Sequence, residues 1–314
     1  MFVLGSRARP ARPAAPPTAY PSATVSWAGL AALLVVYTVW GSTYLAIRVA
    51  VREGAGFPPF TMAAMRTLLA GAVLLGVGRL LGQRLSLSGR EAAVLAASGL
   101  LLWLGGNGLV VWAEQHADSG YAAVVVGSTP IWVATIDAVV QRRAPSWLLS
   151  ASLILGLVGV AVLSGLGSRS SHVDIPALAA LLGAALAWSF GTVLQRRQQV
   201  EVSAQVSSGY QLLFGGVGFS ALVLLTREPP PQPTPEAWLA WLYLVVFGSL
   251  LAFTAYVVVL RTLPASVAMT YSYVNPVIAV LLGALVLGEQ LSLETLVGVG
   301  LVLLGVGGVY RTPH

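Results

Sequence analysis

The sequence predicts an all-α membrane protein of ten transmembrane helices, arranged as two inverted repeats of five helices. Three observations lead to this prediction: an apolar composition, ten apolar runs of membrane-spanning length, and a similarity between the two halves. Hydrophobic residues make up 57% of the 314 residues and charged residues only 9%, and the mean hydropathy is +0.82. Soluble domains carry about 25% charged residues, so this chain has too few charges to cover a globular surface.

Missing and isolated residue types exclude several kinds of chemistry. The chain has no cysteine, which excludes disulfides, thiolate metal sites and cysteine nucleophiles. It has no lysine either, which excludes Schiff-base and P-loop chemistry. Asp118, Asp137 and Asp174 are isolated in the sequence, whereas an intramembrane enzyme would need clustered or paired acids. We therefore expect no enzyme activity, no cofactor and no metal.

Residues 1–26 differ in composition from the rest of the chain and are predicted to form a disordered cytoplasmic tail. They contain five prolines and three arginines, and no apolar run long enough for a signal peptide. Proline-rich polar sequence does not bury a core. Recruitment of a partner by this tail is the alternative interpretation.

Ten apolar runs follow the tail, and each is long enough to cross a bilayer. A transmembrane helix needs about 20 apolar residues to span about 30 Å of hydrocarbon. The connections between the runs are short and are marked by Gly, Pro, Ser or charged residues, which leaves no room for a soluble domain. The predicted spans are 28–51, 60–81, 91–113, 119–141, 146–166, 176–198, 204–226, 236–260, 265–287 and 292–310.

The distribution of arginine predicts that both termini are cytoplasmic. Ten spans place both termini on the same side of the membrane, and cytoplasmic loops carry an excess of basic residues. With the N-terminus inside, twelve of the 17 arginines face the cytoplasm, three face outward and two lie within helices. The net charge of +6 therefore reflects topology, and we expect no nucleic-acid partner.

The two halves of the chain, 27–168 and 169–314, are predicted to be structural repeats of each other. An offset of 146 places Pro130 on Pro276, and an offset of 148 places Trp40 on Trp188. Because each repeat has an odd number of spans, the second repeat lies upside down relative to the first. Inverted repeats are typical of transporters, with the substrate site near the midplane where the halves meet.

A family resemblance is carried by four segments: VWGSTYLAIR (39–48), GNGLVVWAEQHADSGYAAVVV (106–126), AWSFGTVLQRR (187–197) and YSYVNPVIAVLLGALVLGEQLS (271–292). They resemble the EamA group of the drug/metabolite transporter superfamily, closest to its branch of inner-membrane drug/metabolite exporters. The likeness covers residues 27 to 310 and implies two five-helix EamA repeats in a bacterial inner membrane. It also implies secondary transport that exports small amphipathic metabolites, such as amino acids, related compounds or drugs. A flippase or transporter for a lipid or lipid precursor is the alternative.

Polar and aromatic residues inside the spans are the candidates for the substrate path, because such groups are costly against lipid. One face of the first span carries Trp40, Thr43, Tyr44 and Ile47. These side chains either line a cavity or pack between helices. Asn107, between two glycines, binds either substrate or a neighbouring carbonyl group. The candidate lining residues are Trp40, Thr43, Tyr44, Asn107, Thr129, Trp188, Tyr256, Tyr271 and Asn275.

Two prolines and two arginines complete the candidate site. Pro130 and Pro276 each remove one helical hydrogen bond in the fourth and ninth spans. They act either as hinges for alternating access or as passive kinks. Arg48 and Arg66 lie in the outer parts of their spans, where they either extend to the lipid headgroups or contact an anionic group of the substrate.

The expected partners are a small-molecule solute and the lipid bilayer. The glycine-rich fifth and tenth spans fit either packing within the chain or a homodimer seam. Asp137 is the carboxylate placed well inside a span, near its cytoplasmic end, and Glu114 is placed at the outer mouth. We therefore predict transport driven by the solute gradient, without a dedicated proton carrier. The alternative is that Asp137 or Glu114 enters the cavity and titrates.

Overall fold

The computed structural model describes residues 26–117, 119–142, 144–163, 175–287 and 293–311. Every regular element in these ranges is a helix. The predicted tail, residues 1–26, lies outside the described residues apart from Ser26. Within the described ranges, six helices are long and apolar enough to cross a membrane without interruption: Trp27–Val51, Pro59–Leu80, Gly89–Ala113, Ile175–Arg197, Ala204–Thr226 and Pro235–Thr262.

Twelve helices make up the described part of the chain. In order they are α1 (Trp27–Val51), α2 (Pro59–Leu80), α3 (Gly89–Ala113), α4 (Ser119–Val126), α5 (Thr129–Gln141), α6 (Trp147–Leu163), α7 (Ile175–Arg197), α8 (Ala204–Thr226), α9 (Pro235–Thr262), α10 (Ala265–Ala268), α11 (Tyr271–Leu287) and α12 (Leu293–Tyr310).

These helices build the ten predicted spans, which confirms the predicted fold class. α4 and α5 together form the fourth span, with a break at Gly127 and Ser128. α10 and α11 form the ninth span, with a break at Met269 and Thr270. Each of the other eight spans is one helix, and its bounds agree with the predicted bounds to within a few residues.

The local sequence explains where the helices begin and why their outer surfaces are compatible with lipid. The hydroxyl of Ser26 accepts a hydrogen bond from the backbone N–H of Gly29 at 2.9 Å and caps α1. Ser88 and Glu91 form a reciprocal capping box at the start of α3. Between their caps the helices are apolar on every side, so side chains such as Leu224 remain exposed on the protein and face lipid.

Two of the long helices contain a π-helical segment. In α3 the segment is Leu100–Asn107, and in α9 it is Leu244–Ala252. α3 and α9 are the third and eighth spans, so the two segments occupy equivalent places in the two repeats. Because π-helical turns within α-helices are frequent at functional sites, these segments mark the part of the bundle where a site is expected.

Glycines bring equivalent helices of the two repeats into close contact. A Cβ on Gly71 of α2 would lie 2.9 Å from the carbonyl oxygen of Gly209 of α8. A Cβ on Gly159 of α6 would lie 2.6 Å from the backbone nitrogen of Val302 of α12. Small residues let helix backbones approach closely in membranes. The glycines thus support packing within the chain, while the homodimer seam stays a prediction.

Polar contacts join the two repeats at both ends of the bundle. At one end, the carboxylate of Glu228 accepts hydrogen bonds from the backbone N–H groups of Phe60 and Thr61, at 2.9 and 2.7 Å. At the other end, Arg197 of α7 forms an ion pair with Asp137 of α5 at 3.1 Å. The predicted carboxylate inside the fourth span therefore has a cationic partner from the opposite repeat.

Candidate functional site

Four aromatic side chains form a cluster between the repeats: Trp40 of α1, Trp188 of α7, Tyr256 of α9 and Tyr271 of α11. The ring centroid of Trp40 lies 5.4 Å from that of Trp188, 5.0 Å from that of Tyr256 and 5.2 Å from that of Tyr271. Edge-to-face and offset arrangements at such distances are favourable. The two tryptophans paired by the repeat alignment therefore meet each other directly.

Hydrogen bonds fix the rings of this aromatic cluster. The indole nitrogen of Trp40 donates to the carbonyl oxygen of Gly248 at 3.2 Å. The indole nitrogen of Trp188 donates to the hydroxyl of Tyr256, also at 3.2 Å. That hydroxyl lies 2.6 Å from the hydroxyl oxygen of Thr192. Because buried polar groups keep their partners, these bonds hold the rings of Trp40, Trp188 and Tyr256 in one orientation.

Each tryptophan also lies against the π-helical segment of the opposite repeat. Trp40 of the first repeat contacts Gly248 in the segment of α9. A Cβ built on Gly106, in the segment of α3, would lie 2.6 Å from Cε3 of Trp188. Gly106 leaves the space that the Trp188 ring fills, and the carbonyl oxygen of Gly248 accepts the hydrogen bond of Trp40. The two π-helical segments and the aromatic cluster therefore form one unit.

A cavity with a volume of about 70 Å³ lies beside the aromatic cluster, with room for several water molecules. Its wall includes the C-terminal halves of α1 and α3 and the N-terminal half of α2, which lie at the same end of the bundle. The lining residues are Trp40, Thr43, Tyr44, Ile47, Arg66, Trp103, Gly106, Asn107, Val110, Val126, Ala184, Trp188, Tyr271 and Asn275.

The structure brings most of the sequence-predicted candidates to this cavity. Those that line it are Trp40, Thr43, Tyr44, Arg66, Asn107, Trp188, Tyr271 and Asn275. Thr129 and Tyr256 are fully buried without lining it. Tyr256 packs against the rings that line the cavity. The backbone oxygen of Thr129 accepts a hydrogen bond from Ser189 at 3.3 Å. Substrate binding by any of these residues stays a prediction.

Arg48 does not line the cavity. Its guanidinium donates hydrogen bonds to the backbone oxygens of Glu114 and Ala117, at 2.5 and 3.3 Å. These bonds hold the end of α1 against the end of α3 and the connection that follows it. Arg48 therefore has a structural role in the described chain, and an anion contact at Arg48 stays a prediction.

The two prolines occupy different structural positions despite their pairing in the sequence. Pro130 is the second residue of α5, where a missing N–H costs little because the first helical N–H groups have no partner anyway. Pro276 lies inside α11, where it removes a helical hydrogen bond. The side-chain amide of the neighbouring Asn275 lies 3.0 Å from the carbonyl oxygen of Tyr271, and it donates a hydrogen bond there when its nitrogen faces that oxygen. Hinge motion at either proline stays a prediction.

Arg66 is the charged residue among the described residues that line the cavity. Its side chain is only 2% exposed, so it does not extend to the lipid headgroups. Its Nε donates to the hydroxyl of Ser249 at 2.8 Å, and its Cζ lies 5.1 Å from the centre of the Trp103 ring. Its Nη1 is buried without a hydrogen-bond partner among the described residues.

Two further polar groups near the cavity lack partners among the described residues. The side-chain oxygen of Asn107, which lines the cavity, is buried and makes no hydrogen bond. Both carboxylate oxygens of Glu114, the residue after α3, are also buried and unpaired. The sequence places Glu114 at an outer mouth in contact with water, whereas the structure buries it fully between α3 and its neighbours.

Several lining residues were not predicted from the sequence. Trp103, Gly106 and Val110 line the cavity with Asn107 and lie at helical spacing on one face of α3. This spacing around an already suspected asparagine is a signal that could have identified them. Ile47 also lines the cavity, on the face of α1 where the sequence places it beside Trp40.

The comparisons with known proteins identify the family. Residues 27–165 and 175–311 each match the EamA-like transporter family, so this chain belongs to that family. The chain is 34% identical over 278 residues to the uncharacterized inner membrane transporter YedA of Escherichia coli, covering 88% of each protein. It is 24% identical to the uncharacterized transporter YoaV of Bacillus subtilis, covering 87% of this chain and 94% of that protein.

A solved crystal structure shares the fold. It matches with a TM-score of 0.75 and 22% identity, over 92% of this chain and 99% of that chain. The resemblance inferred from the sequence motifs is confirmed, and the protein is a membrane transporter of the EamA family. Within the described ranges, no group of three His, Asp or Glu side chains is arranged to hold a metal ion.

Proposed function

We propose that this protein is a secondary transporter that exports small amphipathic metabolites, such as amino acids, related compounds or drugs, across the cytoplasmic membrane. The observation that carries the proposal is the cavity at the junction of the two repeats, beside the aromatic cluster. In transporters built from inverted repeats, the substrate site lies at this junction near the midplane.

The chemistry of the cavity wall supports an amphipathic solute. Trp40, Trp188 and Tyr271 offer flat apolar faces, and Thr43 and Asn107 add polar groups. Sites for small molecules combine such apolar surface with a few polar groups that fix orientation. The small volume of about 70 Å³ favours a small metabolite over a lipid headgroup with its acyl chains.

The position of the cavity supports an outward-facing state. The lining parts of α1 and α3 are their C-terminal halves, which face outward if both termini are cytoplasmic. At the opposite end, the Arg197–Asp137 ion pair and the hydrogen bond from the Glu201 N–H to Glu91 join the two repeats. An exporter would release its solute from such a state.

The energy source is proposed to be the gradient of the solute itself. Asp137 is paired with Arg197 at the end away from the cavity, which does not favour a role as a mobile proton carrier. The competing hypothesis is proton coupling. Glu114 is the residue that tests it, because its carboxylate is buried without a hydrogen-bond partner among the described residues.

An export experiment tests the proposed function. Cells that overproduce the protein are compared with deletion cells by untargeted analysis of the medium, and each enriched compound is then tested for efflux from proteoliposomes containing the purified full-length protein. We expect at least one small amphipathic compound to accumulate in the medium and to leave the proteoliposomes faster than from protein-free liposomes. Equal media and equal efflux rates would contradict the proposal.

A further inference from the structure

We propose that Arg66 forms an anion-binding subsite in this cavity and that the transported solutes are organic monoanions, with a carboxylate attached to an aromatic or branched apolar body. This inference rests on the proposed function and narrows it to a substrate class. It is carried by four observations on the described residues: an unbalanced buried charge, free donor groups, a neutral counterpart in the other repeat, and a wall without acids.

The first observation is the unbalanced charge of Arg66. The guanidinium of arginine stays protonated in proteins, so burial cannot be relieved by loss of the proton. Arg66 is 2% exposed and forms no ion pair with any carboxylate of the described residues. Burying a charge without a counter-charge is costly. A solute anion in the cavity would supply the missing negative charge.

The second observation is the set of donors that Arg66 leaves unused. Of its five N–H groups, the Nε–H is bonded to Ser249 and one face of the guanidinium is covered by Trp103. Nη1 is buried and has no hydrogen-bond partner in the described part of the chain. A carboxylate approaching Nη1 in the plane of the guanidinium would accept a charge-assisted hydrogen bond. The ring of Trp103 and the hydroxyl of Ser249 hold the guanidinium in place for this contact.

The third observation is a neutral residue at the equivalent place in the second repeat. Arg66 is the eighth residue of α2, and Gln211 is the eighth residue of α8. Both donate to a serine of the opposite repeat: Arg66 to Ser249, and Gln211 to Ser98, each at 2.8 Å. A neutral amide therefore satisfies the same kind of contact between helices. The charge of Arg66 is not required for that contact, and Gln211 does not line the cavity.

The fourth observation is the charge of the rest of the wall. Among the residues that the structure describes, no Asp or Glu lines the cavity. An entering anion therefore meets no repulsion from this part of the wall, whereas a cation meets the uncompensated Arg66. Glu114 lies one helical turn beyond Val110 on α3, about 6 Å further along the axis, outside the lining set. The aromatic faces of Trp40 and Trp188 would hold the apolar body of the same solute.

The test compares matched solutes and matched variants in the purified full-length protein. The probes are 3-phenylpropionate, its neutral amide 3-phenylpropionamide, and the cation 3-phenylpropylamine, with acetate and acetamide as small analogues and phenyl phosphate as a second anion. The variants are Arg66→Gln, which introduces the residue type of the other repeat, and Arg66→Lys. Arg79→Gln is the control, because Arg79 lies on the same helix and is exposed. The readouts are thermal stabilisation by each probe at fixed ionic strength and flux in proteoliposomes.

We expect the carboxylates to stabilise the parent and the Arg79→Gln variant more than the matching amides do. In Arg66→Gln this difference should disappear, because the affinity for the carboxylates should fall by about tenfold or more. Arg66→Lys keeps the charge without the planar fork and should retain part of the preference. Without ligand, Arg66→Gln should melt at the same or a higher temperature than the parent, because it removes an unpaired buried charge.

Two outcomes would overturn the subsite. One is the absence of any carboxylate-over-amide difference in the parent, and the other is a difference that survives in Arg66→Gln. A preference for phenyl phosphate over 3-phenylpropionate, lost in Arg66→Gln, would overturn the assignment to monoanions. If the amide or the amine is transported and the carboxylate is not, the proposed transport function stands and the anion subsite is wrong. If neither these solutes nor any medium metabolite is transported, the proposed transport function is wrong, and the anion subsite that rests on it is wrong as well.

Discussion

The indole rings of Trp40 and Trp188 meet edge to face, with 5.4 Å between their centroids and 81° between their planes. Each residue is the repeat counterpart of the other, and each contacts the π-helical segment of the opposite repeat through Gly248 or Gly106. One contact therefore links the cavity wall, both irregular helices and the junction of the repeats. Any motion of one repeat against the other has to change this contact.

The first prediction concerns these two rings. Trp40→Ala and Trp188→Ala should each lower the export rate by roughly tenfold or more, because each removes part of the wall and the contact between repeats. Export of an identified solute and membrane abundance are measured together. Trp27→Ala and Trp147→Ala are the controls, because these side chains are 85% and 80% exposed. If the cluster variants are as abundant and as active as the parent, the rings serve only packing.

The second prediction concerns the close approach of α3 to Trp188. Gly106→Ala should destabilise the protein by about 1–3 kcal/mol, because its Cβ would lie 2.6 Å from the indole ring. Gly76→Ala on α2 is the matched control, since no atom lies within 4 Å of a Cβ there. It should be neutral or slightly stabilising, because alanine favours helix over glycine. Thermal unfolding in detergent measures both, and equal melting of the two variants would show that this contact adapts freely.

The third prediction concerns orientation. A reporter fused after Arg311 should read as cytoplasmic, and so should a reporter inserted at Arg142, because arginine accumulates on the cytoplasmic side. A reporter at Gly54, in the connection between α1 and α2, should read as external and serves as the internal control. A periplasmic signal at either arginine position would contradict ten spans with cytoplasmic termini.

The fourth prediction concerns energy coupling. Solute flux in proteoliposomes should proceed without a pH gradient, and a pH gradient alone should not drive accumulation, because Asp137 is paired with Arg197. Fluxes of labelled solute with and without an imposed gradient provide the measurement. Uphill uptake driven by the gradient and abolished in Glu114→Gln, with Glu53→Gln as an exposed control, would show that Glu114 carries protons.

The fifth prediction concerns the pH dependence of stability. Burial raises the pKa of the Glu114 carboxyl well above its usual range, although the nearby Arg48 opposes the shift. The unfolded chain ionises this group at about pH 4.3, so the folded state loses stability as pH rises from there toward the raised pKa. Glu114→Gln should therefore melt at a higher temperature than the parent at pH 8, with a smaller difference at pH 5. Melting curves at both values check this, and a constant difference would place the carboxyl in contact with water.

Much of the fold and part of the site could be predicted from the sequence, for identifiable physical reasons. The apolar runs predict the spans because every transmembrane helix must be long enough to cross the same thickness of hydrocarbon. Trp40 and Trp188 could be found because polar or aromatic groups at the same depth in two repeats stand out from an aliphatic background. Arg66 could be found because a charged residue also stands out from an aliphatic background. The direction of its side chain could not be predicted, since an arginine that reaches lipid headgroups and one that reaches a cavity look the same in the sequence.

The remaining features depend on contacts between distant parts of the chain. The π-helical segments have the composition of ordinary apolar helix, so Leu100–Asn107 carries no separate signal in the sequence. Glu114 lies at the end of a span, where exposure is the usual outcome, and only the packing around α3 buries it. Pro130 and Pro276 align in sequence, yet one begins a helix and the other interrupts one, because the preceding breaks fall at different distances from each proline.

The contact between the connections at one end of the bundle has a further consequence. The backbone N–H groups of Gln232 and Thr234 donate to the carbonyl oxygens of Gly56 and Ala55, at 2.9 and 3.0 Å, beside the cap that Glu228 provides. A translation that separates the repeats in the membrane plane would break all of these bonds together. A rotation about an axis through this contact would break none of them. Among rigid-body displacements, the contact therefore favours rotation of the repeats about this end of the bundle over their separation.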